Sequence, residues 1–185
     1  TDAIEFSDKL ILSGGIRANY VMLQAKFNDR TFYPFPYSEA RQNNSAVNGN
    51  LGIILQPVKS IRISVSGSTG FRAPNIDDLA KVFESVVETR NTPGKLVVPN
   101  TNLKPETVYT GELGINYRYK DHLQVSAIGY YSRIEQVIAI LPSTLNGSDT
   151  TFYNDNYVDV YAAQNANYGI VYGAEGSIKA QFLKH

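Results

Sequence analysis

The chain has 185 residues, with 17 Lys and Arg against 17 Asp and Glu, and its basic residues are spread singly rather than in blocks. That balance does not suggest a polyanion-binding role, and no nucleic-acid partner is expected. The lack of cysteine excludes disulfide frameworks, thiolate zinc sites and cysteine nucleophiles.

The longest apolar run, Val137 to Leu141, is far short of the roughly 20 residues a membrane helix needs, and no segment resembles a signal peptide. A membrane-spanning β-barrel is still allowed, because its strands need only about 10 residues with every second one apolar. Thirteen Tyr and eight Phe suit the aromatic girdles of such a barrel, or the filling of an ordinary β core.

In chain order, residues 1 to 6 read as a strand stub, joined through Ser7-Asp8-Lys9 to a strand over 10 to 27. There Leu10, Leu12, Ile16, Ala18 and Tyr20 share one face, and Ser13, Arg17 and Asn19 share the other. A long connection at about 28 to 43 contains Tyr33 and Tyr37. A strand over 47 to 55 follows, then a short link at Pro57 to Ser60, then a strand with Ile61, Ile63 and Val65 opposite Arg62, Ser64 and Ser66. The next connection, 71 to 104, is very long. Leu113, Ile115 and Tyr117 then oppose Glu112, Gly114 and Asn116. After a tight link at Lys120-Asp121, Leu123, Val125, Ala127 and Tyr131 form an apolar face. A long connection near 141 to 156, with Tyr153 and Asp155, leads to a last strand within 165 to 183, where Glu175, Ser177 and Lys179 oppose Ala174, Ile178 and Ala180.

Two features favour an all-β, antiparallel up-and-down barrel over a soluble sandwich. Short and long connections alternate strictly, as they do when one rim carries turns and the other carries loops. The non-apolar face carries Arg, Glu, Asn, Ser and Gly rather than the dense Lys/Glu mix of a solvated surface. A soluble or surface-exposed β-rich binding module is the alternative.

The motifs are more specific. F-R-A-P stands at Phe71, Arg72, Ala73 and Pro74. Asn100-Thr101-Asn102-Leu103 is followed by Lys104, Pro105 and Glu106, and Y-G-A-E closes the series at Tyr172 to Glu175. In type, order and spacing these pieces resemble the barrel of TonB-dependent outer-membrane transporters. Phe71 to Pro74 match that family's FRAP box. Asn100 to Leu103 are similar to its NPNL box, with Thr101 where the family usually has proline. The resemblance implies a 22-stranded barrel in the bacterial outer membrane, contacting its lipid and filled by an N-terminal plug. It further implies import of a small-molecule nutrient, an iron chelate (siderophore), cobalamin or similar, with energy relayed by the TonB system and no catalysis. Residues 1–185 are expected to supply about seven strands of that barrel, and the plug is expected outside this chain. The final Gln-Phe-Leu-Lys-His185 lacks the terminal aromatic such barrels favour. A glycan-importing barrel of the same superfamily is a second reading.

Expectations for individual residues follow. Arg17, Arg62, Glu112 and Glu175 lie on the polar face, where they would meet a plug or pair across neighbouring strands. Asn75 is expected to cap an amphipathic helix through about Glu88, with Asp77 and Asp78 in its first turn and an apolar stripe of Ile76, Leu79, Val82, Phe83 and Val86. Arg72 is expected to hydrogen-bond backbone carbonyls at the start of this loop, and Pro74 to end the strand. Asp77, Asp78, Glu84, Tyr33, Tyr37, Tyr153 and Asp155 are candidate ligand-loop residues. Heme-uptake members of the family hold the iron partly through a His between the two boxes. Residues 75 to 99 contain neither His nor Tyr, and His122 and His185 read as surface residues. Asn154 to Asp159 lacks the glycine and final Glu of an EF-hand loop, so no metal or cofactor site is expected. No hydrolase, zinc-protease or phosphate-cradling motif occurs.

Overall fold

The computed structural model describes residues 2–26, 38–80, 83–85, 94–120, 122–153 and 155–181. They form two sheets. The larger has seven antiparallel strands in the order β1 (Asp2–Ser7), β2 (Leu10–Lys26), β3 (Glu39–Val58), β4 (Ile61–Arg72), β7 (Glu106–Tyr119), β8 (Leu123–Glu135) and β12 (Tyr168–Ala180). Each strand pairs with the next long strand in the chain, an up-and-down meander. The smaller sheet is built inside the two long connections: β5 (Phe83–Ser85) and β6 (Lys95–Val98) in the first, β9 (Ile138–Pro142), β10 (Thr150–Tyr153) and β11 (Asn156–Asn165) in the second.

Register converts the period-2 sequence into two continuous faces, because directly paired residues project to the same side. One row runs Ile53, Val65, Leu113, Gly129 and Ala174, and the next runs Leu55, Ile63, Ile115, Ala127 and Gly176. These residues pack against no second layer; Leu51 and Leu113 are 61% and 60% exposed. Tyr117 and Tyr119 flank this aliphatic band at the turn end, and Tyr109, Tyr131 and Tyr172 flank it at the loop end. Tyr109 and Tyr119 lie about 34 Å apart along β7, which on a strand tilted by about 40° is about 26 Å of height, that of a barrel's apolar band. The opposite face runs Ser66, Glu112 and Tyr130 in one row and Arg62, Asn116, Ser126 and Ser177 in another. Hydroxyls stitch that face together: Ser66 Oγ donates to Glu112 Oε2 at 3.1 Å, and Thr110 pairs with Ser132 at 2.8 Å. A sheet with one apolar and one polar face, neither covered, is half of a membrane barrel's design. No described helix is long and apolar enough to cross a membrane, which says nothing of spanning by strands.

The structure corrects three sequence expectations. First, β3 begins at Glu39, not 47, so the connection before it is shorter than 28 to 43. The segment Glu39 to Asn50 is largely polar, and its strand character comes from continuous pairing with β2 (Lys26 with Glu39 through Gly15 with Asn50) rather than from alternation. Second, the connection placed at 141 to 156 runs from 136 to 167 and is mostly strand. Third, the helix after Asn75 is a single turn, α1 (Ile76–Ala80). Phe83–Ser85 instead pair antiparallel with Lys95–Val97. Strand pairing captures a segment whose apolar spacing also fits a helix, and Ile76, which that stripe would bury, is 44% exposed.

Candidate functional site

The loop-bearing end of the sheet is where the sequence motifs converge. Arg72, the last residue of β4, lies opposite Glu106, the first residue of β7. Its Nε donates to Glu106 Oε2 at 2.6 Å, and its Nη1 donates to Asp78 Oδ2 at 2.7 Å. The expected carbonyl partners are therefore replaced by two carboxylates, which bind a guanidinium more strongly than neutral acceptors do. Glu106 has its other oxygen, Oε1, on the backbone N–H of Ile138, the first residue of β9, at 2.7 Å. One Arg–Glu pair thus joins the end of one strand, the start of the next and the start of the second loop. The pair lies one step beyond the outward row of Phe71, Thr107, Glu135 and Tyr168, outside the apolar band. The guanidinium, followed by the Ile138 N–H, holds the Glu106 carboxyl below the usual carboxylate range against partial burial, and both carboxylates hold Arg72 more firmly protonated than usual.

Asn75 caps α1 as expected. Its Oδ1 accepts from the Asp78 N–H at 2.8 Å, and Asp78 Oδ2 accepts from the Asn75 N–H at 3.0 Å, a reciprocal capping box with Asp in the usual Glu position. The cap directs Leu79 inward, where it is fully buried with Leu103 and Ala163 against Leu23 and Ile138. Pro74 is buried beside it. Asp78, expected to face ligand, is committed to this corner; Asp77 is exposed.

The second box is a seam. Asn100 Oδ1 accepts from the Asn102 N–H at 3.0 Å, forming a local turn, while Asn100 Nδ2 donates to the Ala163 carbonyl at 2.8 Å. Gln42, on the part of β3 that projects beyond its pairing with β4, donates through Nε2 to the carbonyls of Thr101 and Leu103 at 3.0 and 2.9 Å. Asn165 closes the set: its Oδ1 accepts from the Lys104 N–H at 2.8 Å, and its Nδ2 donates to the carbonyls of Lys104 and Gln136 at 2.9 and 2.8 Å. Pro105 follows, where no ladder N–H is needed. Sequence reasoning missed Gln42 and Asn165. Nothing local marks them: Gln42 stands beside Asn43 and Asn44, and Asn165 beside Gln164, so each is informative only once its long-range partners are known.

Between the loops, β11 pairs in parallel with β6, Asp159 aligning with Lys95 through Ala162 with Val98. On its other edge β11 carries β10 and β9. Leu96, Val98, Val158, Val160 and Ala162 form a core of their own, covered by Leu145 and Tyr153. Asn146 and Gly147, with φ of 53° and 85°, turn the chain between Leu145 and Ser148, the left-handed pair that a tight hairpin turn requires. At the tip of the β10–β11 hairpin Asp155 is exposed with φ of 63°. Phe152 and Tyr157, 61% and 73% exposed, meet edge to face there with ring centroids 5.4 Å apart.

The polar-face charges are not brought together. Among the described residues Arg17, Arg62 and Glu175 form no ion pair, and Glu112 accepts only from Ser66, so cross-strand charge pairing does not account for them. Within Y-G-A-E, Tyr172 points outward and Glu175 inward. Gly173 lies under the Tyr130 ring, where an added Cβ would come within 2.8 Å of the hydroxyl. His122 is in the β7–β8 turn at the opposite end of the sheet from the loops, its N–H on the Tyr119 carbonyl. Among the described residues no group of acidic or His side chains is arranged to hold a metal. Tyr33, Tyr37, the Glu84 side chain and His185 lie outside the described residues.

Comparison with known proteins agrees with this geometry. The family model described as TonB dependent receptor-like, beta-barrel matches residues 1–184. The chain is 31% identical over 107 residues to the vitamin B12 transporter BtuB of Vibrio vulnificus, covering 58% of this chain and 15% of that protein. It is 34% identical over 79 residues to the probable hemoglobin and hemoglobin-haptoglobin-binding protein 1 of Haemophilus influenzae, covering 42% and 7%. Its fold superimposes on the siderophore receptor PirA of Pseudomonas aeruginosa with a TM-score of 0.66 at 16% identity, over 94% of this chain and 29% of that one. The chain therefore spans a minor part of the length of each.

Proposed function

We propose, from the premise that this chain belongs to the TonB-dependent receptor β-barrel family, that the protein it forms part of captures a scarce nutrient at the bacterial outer membrane and imports it. The observation that carries the reading is the fusion of two loops from neighbouring strand pairs into one sheet beside a polar, charge-bearing face. A mouth roofed by ordered structure and opening onto a hydrated interior suits capture followed by passage. It involves no bond-making step, so residues here bind, orient and exclude.

The division of labour is by height. Arg72, Asp78, Glu106, Asn100, Asn102 and Leu103 anchor the loops and do not meet ligand. The exposed hairpin tip, with Phe152, Tyr157 and Asp155, and the exposed Asp77 are the described groups placed to touch a solute arriving from outside. Arg17, Arg62, Glu112 and Glu175 face the interior, where a plug segment coupled to TonB is their partner. Relatives in sequence are a vitamin B12 transporter and hemoglobin-binding proteins, and a scarce, bulky nutrient such as a metal chelate is the class proposed here.

The test is growth of a strain deleted for the parent gene on single sources of ferric siderophores, heme, cobalamin and glycans. A defect on a chelate or cobalamin, restored by the intact gene, supports the reading. A defect on glycans alone moves the substrate class, and no defect on any source overturns import. A defect on heme also supports import and places the iron ligands outside residues 75 to 99, which supply neither His nor Tyr.

A further inference from the structure

The basic residues are single in the sequence, but the sheet gathers three of them. Arg62 is the second residue of β4, Arg118 the last but one of β7, and Lys179 the last but one of β12. Register aligns Arg118 with Gln124 and Gln124 with Lys179, and places Arg62 beside Asn116, one step along the same face of β7. All three cations are exposed, all lie on the polar face, and all sit at the short-turn end, away from the loops. Two open concavities meet there, sharing Arg118 and Gln124; one also takes in Lys120 and His122. Among the described residues none of the three cations has a carboxylate partner. The turn's Asp121 lies outside the described residues. The polar-face carboxylates Glu5, Glu106, Glu112 and Glu175 are all in rows nearer the loops.

We infer that this turn-end row is a docking strip for an acidic, extended peptide segment lying across the polar face. The spacing selects the partner. Arg118 and Lys179 are two strands apart, about 10 Å, and Arg62 is offset from Arg118 by about one strand and two residues, near 8 Å. A single phosphate does not engage all three, since Arg62 and Lys179 lie three strands and two residues apart, about 16 Å. An extended peptide presents same-side carboxylates about 6.8 Å apart, a difference from the backbone spacings of the strip that the long, flexible Arg and Lys side chains take up, and Asn116, Gln124, Ser126 and Ser177 between the cations offer hydrogen bonds to its backbone. The face is turned away from lipid, so a lipid headgroup does not reach it. A segment that fills the interior displaces water from these cations, and carboxylates on that segment offset the cost of losing it. The inference rests on the reading that the polar face encloses another part of the protein, and extends it by giving that part a charge and a place.

The test uses the full-length protein in its native outer membrane, with a photo-crosslinking phenylalanine analogue at Gln124 and mass spectrometry of the adduct. The expected product joins Gln124 to a peptide containing at least two Asp or Glu residues. Reversing Arg118→Glu and Lys179→Glu together lowers its yield at least about tenfold, while Arg118→Lys with Lys179→Arg keeps it. Heat-modifiable migration verifies that each variant barrel is folded. Adducts with lipid or with a neutral or basic segment, no adduct at all, or a yield indifferent to charge reversal would overturn the strip. Growth on the nutrient sources above reports import separately, so the two readings fail independently.

Discussion

The two sheets of this molecule are stabilised in opposite ways. The seven-stranded sheet buries almost none of its large apolar side chains: Leu51, Val65, Leu113 and Ile115 are exposed, and its ladder is the only continuous structure behind them. The loop sheet is smaller, yet it contains most of the fully buried side chains, among them Leu96, Val158 and Val160. The first was selected for a solvent that is itself apolar. The second was selected for water, and it obeys the ordinary rule that apolar groups go inside.

One substitution made in both places breaks or upholds that contrast. Leu96→Arg puts an unpaired charge into the loop core and is expected to cost more than about 4 kcal/mol, enough to lose the loop sheet. Limited proteolysis should then cut within 73–105 and 136–167 while the barrel stays heat-modifiable. Leu113→Arg changes a residue that is already 60% exposed, so a water-facing sheet would tolerate it. In a bilayer it is expected to cost about 2–4 kcal/mol, read as a lowered denaturant midpoint in vesicles. A neutral result there would return the sheet to the soluble class.

Smaller effects sharpen the boundary between the sheets. Arg72→Ala leaves Glu106 and Asp78 facing each other without a cation and is expected to loosen both loops by about 1–3 kcal/mol, seen as faster hydrogen exchange in Leu79 and Ile138 with β4 and β7 unchanged. Asn75→Ala removes the cap from α1 and is expected to cost about 1 kcal/mol, confined to the 71–80 corner. The pH dependence is the mildest test. Glu106 has its folded pKa depressed, so its contribution is complete above the unfolded carboxylate value, near 4.3, and is lost as pH falls through the lower folded value. Protease protection of the loops should be flat from about pH 8 to 5 and decline below about pH 4, and Glu106→Gln should remove that decline.

The membrane sheet was the more legible region because two solvents wrote its pattern. Lipid outside and a polar interior impose strict alternation, so Ile61 to Ser66 or Leu113 to Asn116 can be assigned to faces without knowing their partners. The projecting part of β3 was less visible, since Asn43, Asn44 and Asn48 alternate nothing. The loop sheet was missed although Leu96-Val97-Val98 and Val158-Asp159-Val160 are valine-rich segments of the kind that form strands. Each is too short to stand alone, and its partner lies in a different loop. The corner motif was half legible. Asn75 as a cap is local and visible, whereas the choice of Glu106 and Asp78 by Arg72 depends on a register that brings position 106 beside position 72. Gln42 and Asn165 had no local signal, for their amides satisfy backbone groups that become neighbours only in the fold.

The parallel pairing of β6 with β11 also constrains the order of assembly. Every pairing in the large sheet joins strands that follow one another through a turn or a loop, whereas β6 and β11 meet across about sixty intervening positions, with two membrane strands between them. Loop closure of that length is favourable only after β7 and β8 are paired and hold both loops at one end of the sheet. The joined loops are therefore expected to form after the wall that carries them, and a chain stalled in the membrane would expose the edges of β6 and β11 to water. Nothing that depends on the joined loops can act before the strands beneath them are paired.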